Sequence, residues 1–549
     1  MNKLLIVLFV TFFTINFAFA QADFGNISGN ISIEAQTYSE DSLIQAFDTP
    51  EKLLSNSSMH LYYRLNQFEI STRFEAFLNP IKGIDQNYQG SGIAYRNITY
   101  RGDKIEATAG NFYDQFGSGV IFRSYYEPAL GIDNSIDGVR VLLKPTAGLE
   151  VKGIIGKMRK FWTAGNSIIR AANIDYSLSN GSLDLLPPGW NMTFGGSIVS
   201  KYEEDKNSSL VLPQNVFSYS GRFGLYTNSI NVDGEFGISK NHPEFLNNYT
   251  YNDGTSVVLT VTYFGDGLGT SLSFHRIDNM DIRTEVSARG TVLSQNYIPS
   301  LTKQHLFSKY SLIPFGTQFN GEFGFQWDAN YHLSDGTFLG GENGADLNIN
   351  ASWVNSIKKN PIDEYTYDAP FFELGDTLFF ADANLEFTKY FNEHFDYVIR
   401  YAHILNNKDI LYFSGAPHFG FITADFLGWE STYKFNNDYA LHNKLEHLWQ
   451  KADSTIEEVD NENGNWISGL LELSVKSQLM IALSLDYNYG NIFDDRKILY
   501  YNFNVAYLFD ATRVSLSYGK TSAGILCVGG ICRTVPATNG FYFSLTSSF

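Results

Sequence analysis

The chain is 549 residues long and carries 58 Asp and Glu against 39 Lys and Arg, a formal net charge of -19. That balance excludes a nucleic-acid partner, which needs a concentrated basic surface to neutralise phosphates, and with only 2 cysteines a disulfide-built scaffold is excluded as well. A content of 45 Phe, 34 Tyr and 47 Gly against 14 Pro favours strands, because aromatic side chains suit a half-buried pleated surface and glycine marks tight turns.

Residues 1–20 read as a cleaved signal peptide: Lys3 supplies the positive charge, Leu4 to Phe17 the apolar stretch, and Ala18-Phe19-Ala20 the small-x-small cut before Gln21. No cysteine lies near the cut to carry a lipid. The mature chain, 21–549, shows no linker or composition shift and is expected to form one domain. After the signal there is no apolar run of about 18 residues, so no helix is expected to cross a bilayer.

Period-2 alternation begins early. Phe68, Ile70, Thr72, Phe74 and Ala76 fall on one face of a strand and Glu69, Ser71, Arg73 and Glu75 on the other, with Arg64 just before. The stretch from Gly110 to Arg140 breaks the pattern. Its glycines at 117 and 119 let the backbone turn or approach another segment closely. Two readings stand: a strand pair with a glycine kink, or an inward-folded constriction carrying Arg123, Glu127, Asp133 and Arg140.

Alternation returns at Phe217 to Ile238, with Arg222, Asp233 and Glu235 on the polar face. Gly265-Asp266-Gly267 reads as a short turn; its glycine spacing lacks the third position of a phosphate loop. Regions 279–317 and 333–345 fit no strand pattern. Further on, Asp382, Asn384, Glu386, Asp396, Arg400, Lys444 and Glu446 fall on polar faces. In the lumen of a barrel such charges either pair into an internal network or line a path for a solute, whereas facing lipid they would cost several kcal/mol. His442 and Glu446 share a face and His447 takes the other, which argues against a shared metal. The acidic run Asp453 to Glu462 does not match an EF-hand and reads as solvated charge.

The last hundred residues carry the clearest signal. Leu479, Ile481, Leu483, Leu485 and Tyr487 alternate with Ala482, Ser484, Asp486 and Asn488, and the pattern repeats at 499–509, 513–518 and 541–549. Counted back from Phe549, long connections (522–540, 491–496, 453–464, 405–419, 356–375) alternate with short ones near Asp510, Lys476, Asn436 and Asn392. The expectation is an all-β fold: a large single-chain antiparallel transmembrane β-barrel of roughly 24 to 28 strands, with long loops outside and both termini in the periplasm. Cys527 and Cys532, four residues apart around Gly529-Gly530 in an oxidising compartment, are expected to form a disulfide in the last outside loop.

The aromatic C-terminus is similar to the recognition signal of chains inserted by the outer-membrane barrel assembly machinery. Together with the Gly110 to Arg140 stretch and the Cys-Val-Gly-Gly-Ile-Cys loop, it resembles a family of Bacteroidota outer-membrane barrel proteins. The resemblance runs from the signal peptide to Phe549 and implies a porin-like barrel and its location, without a particular substrate. Asn111 to Gly119 is also similar to a strand of porin-type barrels. No P-loop, metalloprotease or serine-hydrolase motif occurs, so neither an enzyme nor a cofactor is expected. The expected partners are outer-membrane lipid, the assembly machinery during insertion, and proteins meeting the outside loops. The expected function is porin-like passage of polar solutes; the alternative is a structural or accessory subunit of an outer-membrane secretion, insertion or surface-assembly complex.

Overall fold

A computed structural model describes residues 25–47, 49–178, 186–205, 209–303, 307–411, 420–452 and 464–549. The signal peptide and the acidic run lie outside these residues. Strands follow one another in chain order, each hydrogen-bonded antiparallel to the next, from Asn26–Gln36 to Thr538–Ser548. The first strand then pairs with the last, from Asn30 opposite Ser548 to Gln36 opposite Tyr542, and the sheet closes. One two-residue piece, Thr163–Ala164, only folds back on Arg159 and Lys160, which leaves a closed wall of 24 strands.

The wall is built by alternation. In Phe68–Asn79 the outward Phe68 and Ile70 stay 49% and 46% exposed, while Ser71, Arg73 and Glu75 on the opposite face are 4% exposed or less. Large apolar residues are exposed on the outer face right around the wall, among them Ile98, Phe223, Leu272, Tyr401, Leu483 and Phe541. This inversion, greasy outside and polar inside, is the pattern a barrel takes when lipid surrounds it. Closure also removes sheet edges, so no wall strand leaves a row of backbone groups unpaired in hydrocarbon.

Connections sort by end. At the end bearing both termini, two-residue turns such as Asn66-Gln67, Asp266-Gly267 and Asp510-Ala511 join the strands, and Asn66, Asp266 and Asp510 have φ of +51°, +48° and +48°. Positive φ at the first turn position matches the twist of tight hairpins. At the opposite end lie 37–53, 80–89, 113–135, 241–253, 279–321, 358–373 and 522–537. Among its described residues, region 279–317 thus contains no wall strand, and 334–344 is a connection at the termini end.

The apolar core lies inside the barrel, where alternation alone would put polar groups. Phe116, Val120, Ile121 and Phe122 pack on Ile154, Met158, Ile169 and Val199 of the wall and on Ile282, Leu293 and Ile298. A second cluster joins Phe307, Tyr310, Ile313 and Phe315 to wall residues Phe380, Ile404, Phe426, Leu448 and Trp466. Toward the long-loop end the inward face turns apolar: in Phe395–Asn407 it passes from Asp396 and Arg400 to Ala402 and Ile404. Burying each such side chain contributes roughly 1.5–3 kcal/mol, which favours loops folded into the lumen over loops left in water.

Candidate functional site

Three segments enter the lumen from the long-loop end. The first, 113–135, folds inward between two wall strands that pair with each other, Ile105–Phe112 and Ile136–Leu143. Its tip is a tight turn in which the Gly119 N–H donates to the Phe116 carbonyl at 2.9 Å. There Glu235, reaching in from the wall, accepts from both the N–H and the hydroxyl of Ser118 at 2.7 Å.

The base of this insert rests on a buried ion cluster. Arg73 pairs with Glu75 at 2.8 Å and with Asp133, and Arg159 pairs with Glu75 at 2.8 Å and with Asp133. The Tyr113 hydroxyl donates to Asp133 at 2.9 Å, and the Arg73 guanidinium lies 4.1 Å from the Tyr126 ring centre. Two cations and two carboxylates balance, and each charge has partners that offset its desolvation. Arg140 is held nearby by Glu106 and Asp114, both at 2.5 Å.

The second insert, within 279–321, runs beside the first. The Arg123 N–H donates to the Gln295 carbonyl at 2.8 Å and the Tyr297 N–H to the Gly119 carbonyl at 3.0 Å, while the Asn296 amide donates to the Val120 carbonyl at 2.9 Å. Arg123 lies between rings, 4.0 Å from that of Tyr297 and 4.6 Å from that of Tyr125. Burial pushes the Tyr125 and Tyr126 hydroxyls up to about 12, so both are neutral where the protein works. Farther along, Glu446 accepts from the Lys309 N–H at 2.7 Å, Asp382 from the Tyr310 hydroxyl at 2.5 Å, and Arg400 lies 4.7 Å from the Phe307 ring centre.

The third segment is a hairpin, Gly524–Val528 and Ile531–Val535, closed by a Cys527–Cys532 disulfide. It leans inward against the other two inserts. The Tyr297 hydroxyl donates to the Gly529 carbonyl at 2.6 Å, the Thr317 N–H to the Gly530 carbonyl at 3.1 Å, and Arg533 Nε to the Ala129 carbonyl at 2.7 Å. The disulfide lies in the expected last outside loop and stiffens it as a clasp over the inserts.

Of the residues singled out in the sequence, Arg73, Glu75, Asp133, Glu235, Asp382, Arg400 and Glu446 meet the inserts or belong to them. Arg222 pairs with Asp175 and the Tyr226 hydroxyl donates to Asp233, both below the insert tip. Glu386 pairs with Arg400, and Lys444 lies 3.6 Å from Glu430. Glu127 accepts from the Ala129 N–H at 3.2 Å. Arg64 stays outside the cluster, 65% exposed at the mouth of the termini end, and pairs with Glu69 at 2.6 Å. His442 bonds Glu430 at 2.8 Å. Arg159, Tyr113, Ser118, Tyr297 and Arg533 were not foreseen. The available signal was the apolar content of 279–321: Met280, Ile282, Leu293, Ile298, Phe307 and Phe315 have no reason to sit in a loop exposed to water.

Beneath the inserts two cavities remain. One of about 1270 Å³ borders Gly117, Ser118, Arg222, Asp233 and Glu235; another of about 700 Å³ lies at the seam where the first and last strands meet.

These features define a large closed antiparallel β-barrel whose lumen is occupied by its own loops. The chain belongs to the Family of unknown function (DUF6029), which matches it over residues 1–549. No curated protein matches its sequence. In structure it is similar to the siderophore receptor PirA from Pseudomonas aeruginosa (TM-score 0.40, 10% identity, covering 96% of this chain and 81% of that one). It is also similar to the P pilus usher (PapC) translocation pore (TM-score 0.42, 7% identity, 95% and 98%) and to a BenF-like porin from Pseudomonas fluorescens Pf-5 (TM-score 0.34, 10% identity, 78% and 98%).

Proposed function

We propose that the protein spans the outer membrane of a Bacteroidota cell, termini in the periplasm, and carries polar solutes through a lumen that its own loops close at rest. The observation that carries this reading is the construction of the closure. The inserts are loops, not wall strands, and they are held against the wall by apolar packing and by polar anchors such as Glu235, Asp382 and Glu446. Moving them breaks no ladder of the barrel. Below them the cavities of about 1270 Å³ and 700 Å³ have mixed linings, with Ser118, Arg222 and Asp233 among the polar side chains of the first and Asn30, Asn56 and Asn502 among those of the second.

The test is conductance in planar bilayers. The intact protein is expected to be silent or nearly so, and deletion of 524–535 together with 113–135 to give stable ion conductance. Deletion variants that fold as heat-modifiable barrels and stay silent would refute passage. The occupied lumen also favours a second reading, an accessory subunit of a secretion, insertion or surface-assembly complex. That reading predicts stoichiometric partners in a mild-detergent pull-down.

A further inference from the structure

We propose that the cavity of about 700 Å³ at the barrel seam is a binding chamber for a short neutral oligosaccharide. The proposal deepens the passage reading and rests on it. The volume falls in the range of small-molecule sites, about 300–1,000 Å³. Its walls come from the inner faces of the first three and last three strands and supply amides and hydroxyls: Asn30, Gln36, Asn56, Ser58, Asn502 and Ser517. Amides donate and accept at once, as a sugar hydroxyl does.

Charge is present but engaged. Glu75 and Asp133 are neutralised by Arg73 and Arg159. Lys82 lies 4.4 Å from the Tyr38 ring centre, Tyr542 hydrogen-bonds Glu34, and Arg533 donates to the Ala129 carbonyl. The larger cavity is more densely charged, with Lys104, Lys144, Glu150, Arg222 and Asp233 among its lining, although Lys144 pairs with Glu150 and Arg222 with Asp175. A chamber in which Glu75 and Asp133 are ion-paired, the charges of Glu34, Lys82 and Arg533 are held by neutral groups, and many amides and hydroxyls line the wall favours a ligand rich in hydroxyls and without net charge.

Apolar groups share the lining, among them Phe77, Ile84, Ile132 and Leu526, and Tyr126 adds an aromatic ring. The Arg73 guanidinium lies 4.1 Å from its ring centre, yet Tyr126 is still 36% exposed and lines the chamber. A fixed aromatic ring beside amides is the arrangement that packs against the C–H face of a sugar while its hydroxyls are bonded at the edge.

The full-length protein in detergent would be titrated calorimetrically with maltotriose, cellotriose and laminaritriose, with trigalacturonate as the charged control. The expected result is saturable binding of at least one neutral trisaccharide, weakened tenfold or more by Tyr126→Ala and by Asn30→Leu, and retained by Tyr126→Phe. Asn30→Leu changes the chamber without touching the inserts, so a folding defect at Tyr126 does not decide the outcome. Absence of binding by all three, preference for trigalacturonate, or binding indifferent to both Tyr126→Ala and Asn30→Leu would overturn the proposal. Conductance of the insert-deleted barrel is read separately: conductance without saccharide binding sinks the chamber and leaves passage standing, whereas binding by a barrel that never conducts does the reverse.

Discussion

The backbone N–H and the hydroxyl of Ser118 both donate to Oε2 of Glu235, each at 2.7 Å, across a separation of 117 residues. This contact ties the tip of the first insert to the wall. Gly117 makes it possible: its φ is +53°, and a Cβ there would lie 2.4 Å from the same carboxylate oxygen. The left-handed conformation and the close approach both require glycine.

Glu235→Ala therefore removes two charge-assisted hydrogen bonds, of about 1.5–3 kcal/mol each, and Gly117→Val forces the turn apart. Both variants are expected to keep the barrel and to free the insert, so that trypsin cuts after Arg123 in the folded protein. Cleavage no faster than in the parent would show that the tip is held elsewhere.

At the base of the same insert, Asp133 joins Arg73, Arg159 and Tyr113. Asp133→Ala leaves two buried guanidinium groups sharing Glu75, and loss of one partner in such a cluster costs about 3–5 kcal/mol. The expected readout is a lower apparent melting temperature in detergent, with Asp133→Asn intermediate. A melting curve that does not move would mean that water reaches the cluster.

The lipid-facing assignment has its own test. Leu483 points outward and Ser484 inward on the strand Leu479–Asn488. In liposomes Leu483→Arg should lower folding stability by about 2–4 kcal/mol if it sits near the midplane, and Ser484→Arg far less. Equal losses in urea titrations would contradict the orientation of this strand.

His242 lies in the long connection 241–253 and is 1% exposed. Burial holds its imidazole down at about 3; Lys201 adds to the shift, while Asp253 and Asp281 oppose it. The folded pKa is depressed, so the contribution to stability is full above the ordinary histidine value of about 6.5 and is lost as pH falls from there toward 3. Buried Glu244, pushed up by desolvation with Lys201 and Arg283 opposing, works in the opposite sense. The comparison is therefore with His242→Phe, whose melting temperature should fall less between pH 7.5 and 4.5 than that of the parent. Parallel curves would remove His242 as the cause.

Cys527 and Cys532 close the hairpin that touches both other inserts. Maleimide labelling of the native, unreduced protein should reach neither thiol. Replacing both cysteines with serine should cost on the order of 2 kcal/mol through lost constraint on the unfolded chain and should raise hydrogen exchange at Tyr297. Labelling of both cysteines, or exchange unchanged in the serine variant, would remove the clasp.

The wall was legible from the sequence alone. Alternation is a property of consecutive residues, and Phe68 against Glu69, or Leu483 against Ser484, states which face meets lipid before any partner strand is known. The same holds for the turns, because the left-handed backbone at Asp266 and Asp510 is a local matter. The closed lumen was not legible. Ser118 meets Glu235 and Tyr297 meets Gly529 over separations of 117 and 232 residues, and no periodicity in either segment encodes its partner. Only closure of the barrel brings those loops over one shared space, whose walls toward the long-loop end are apolar enough to draw them in.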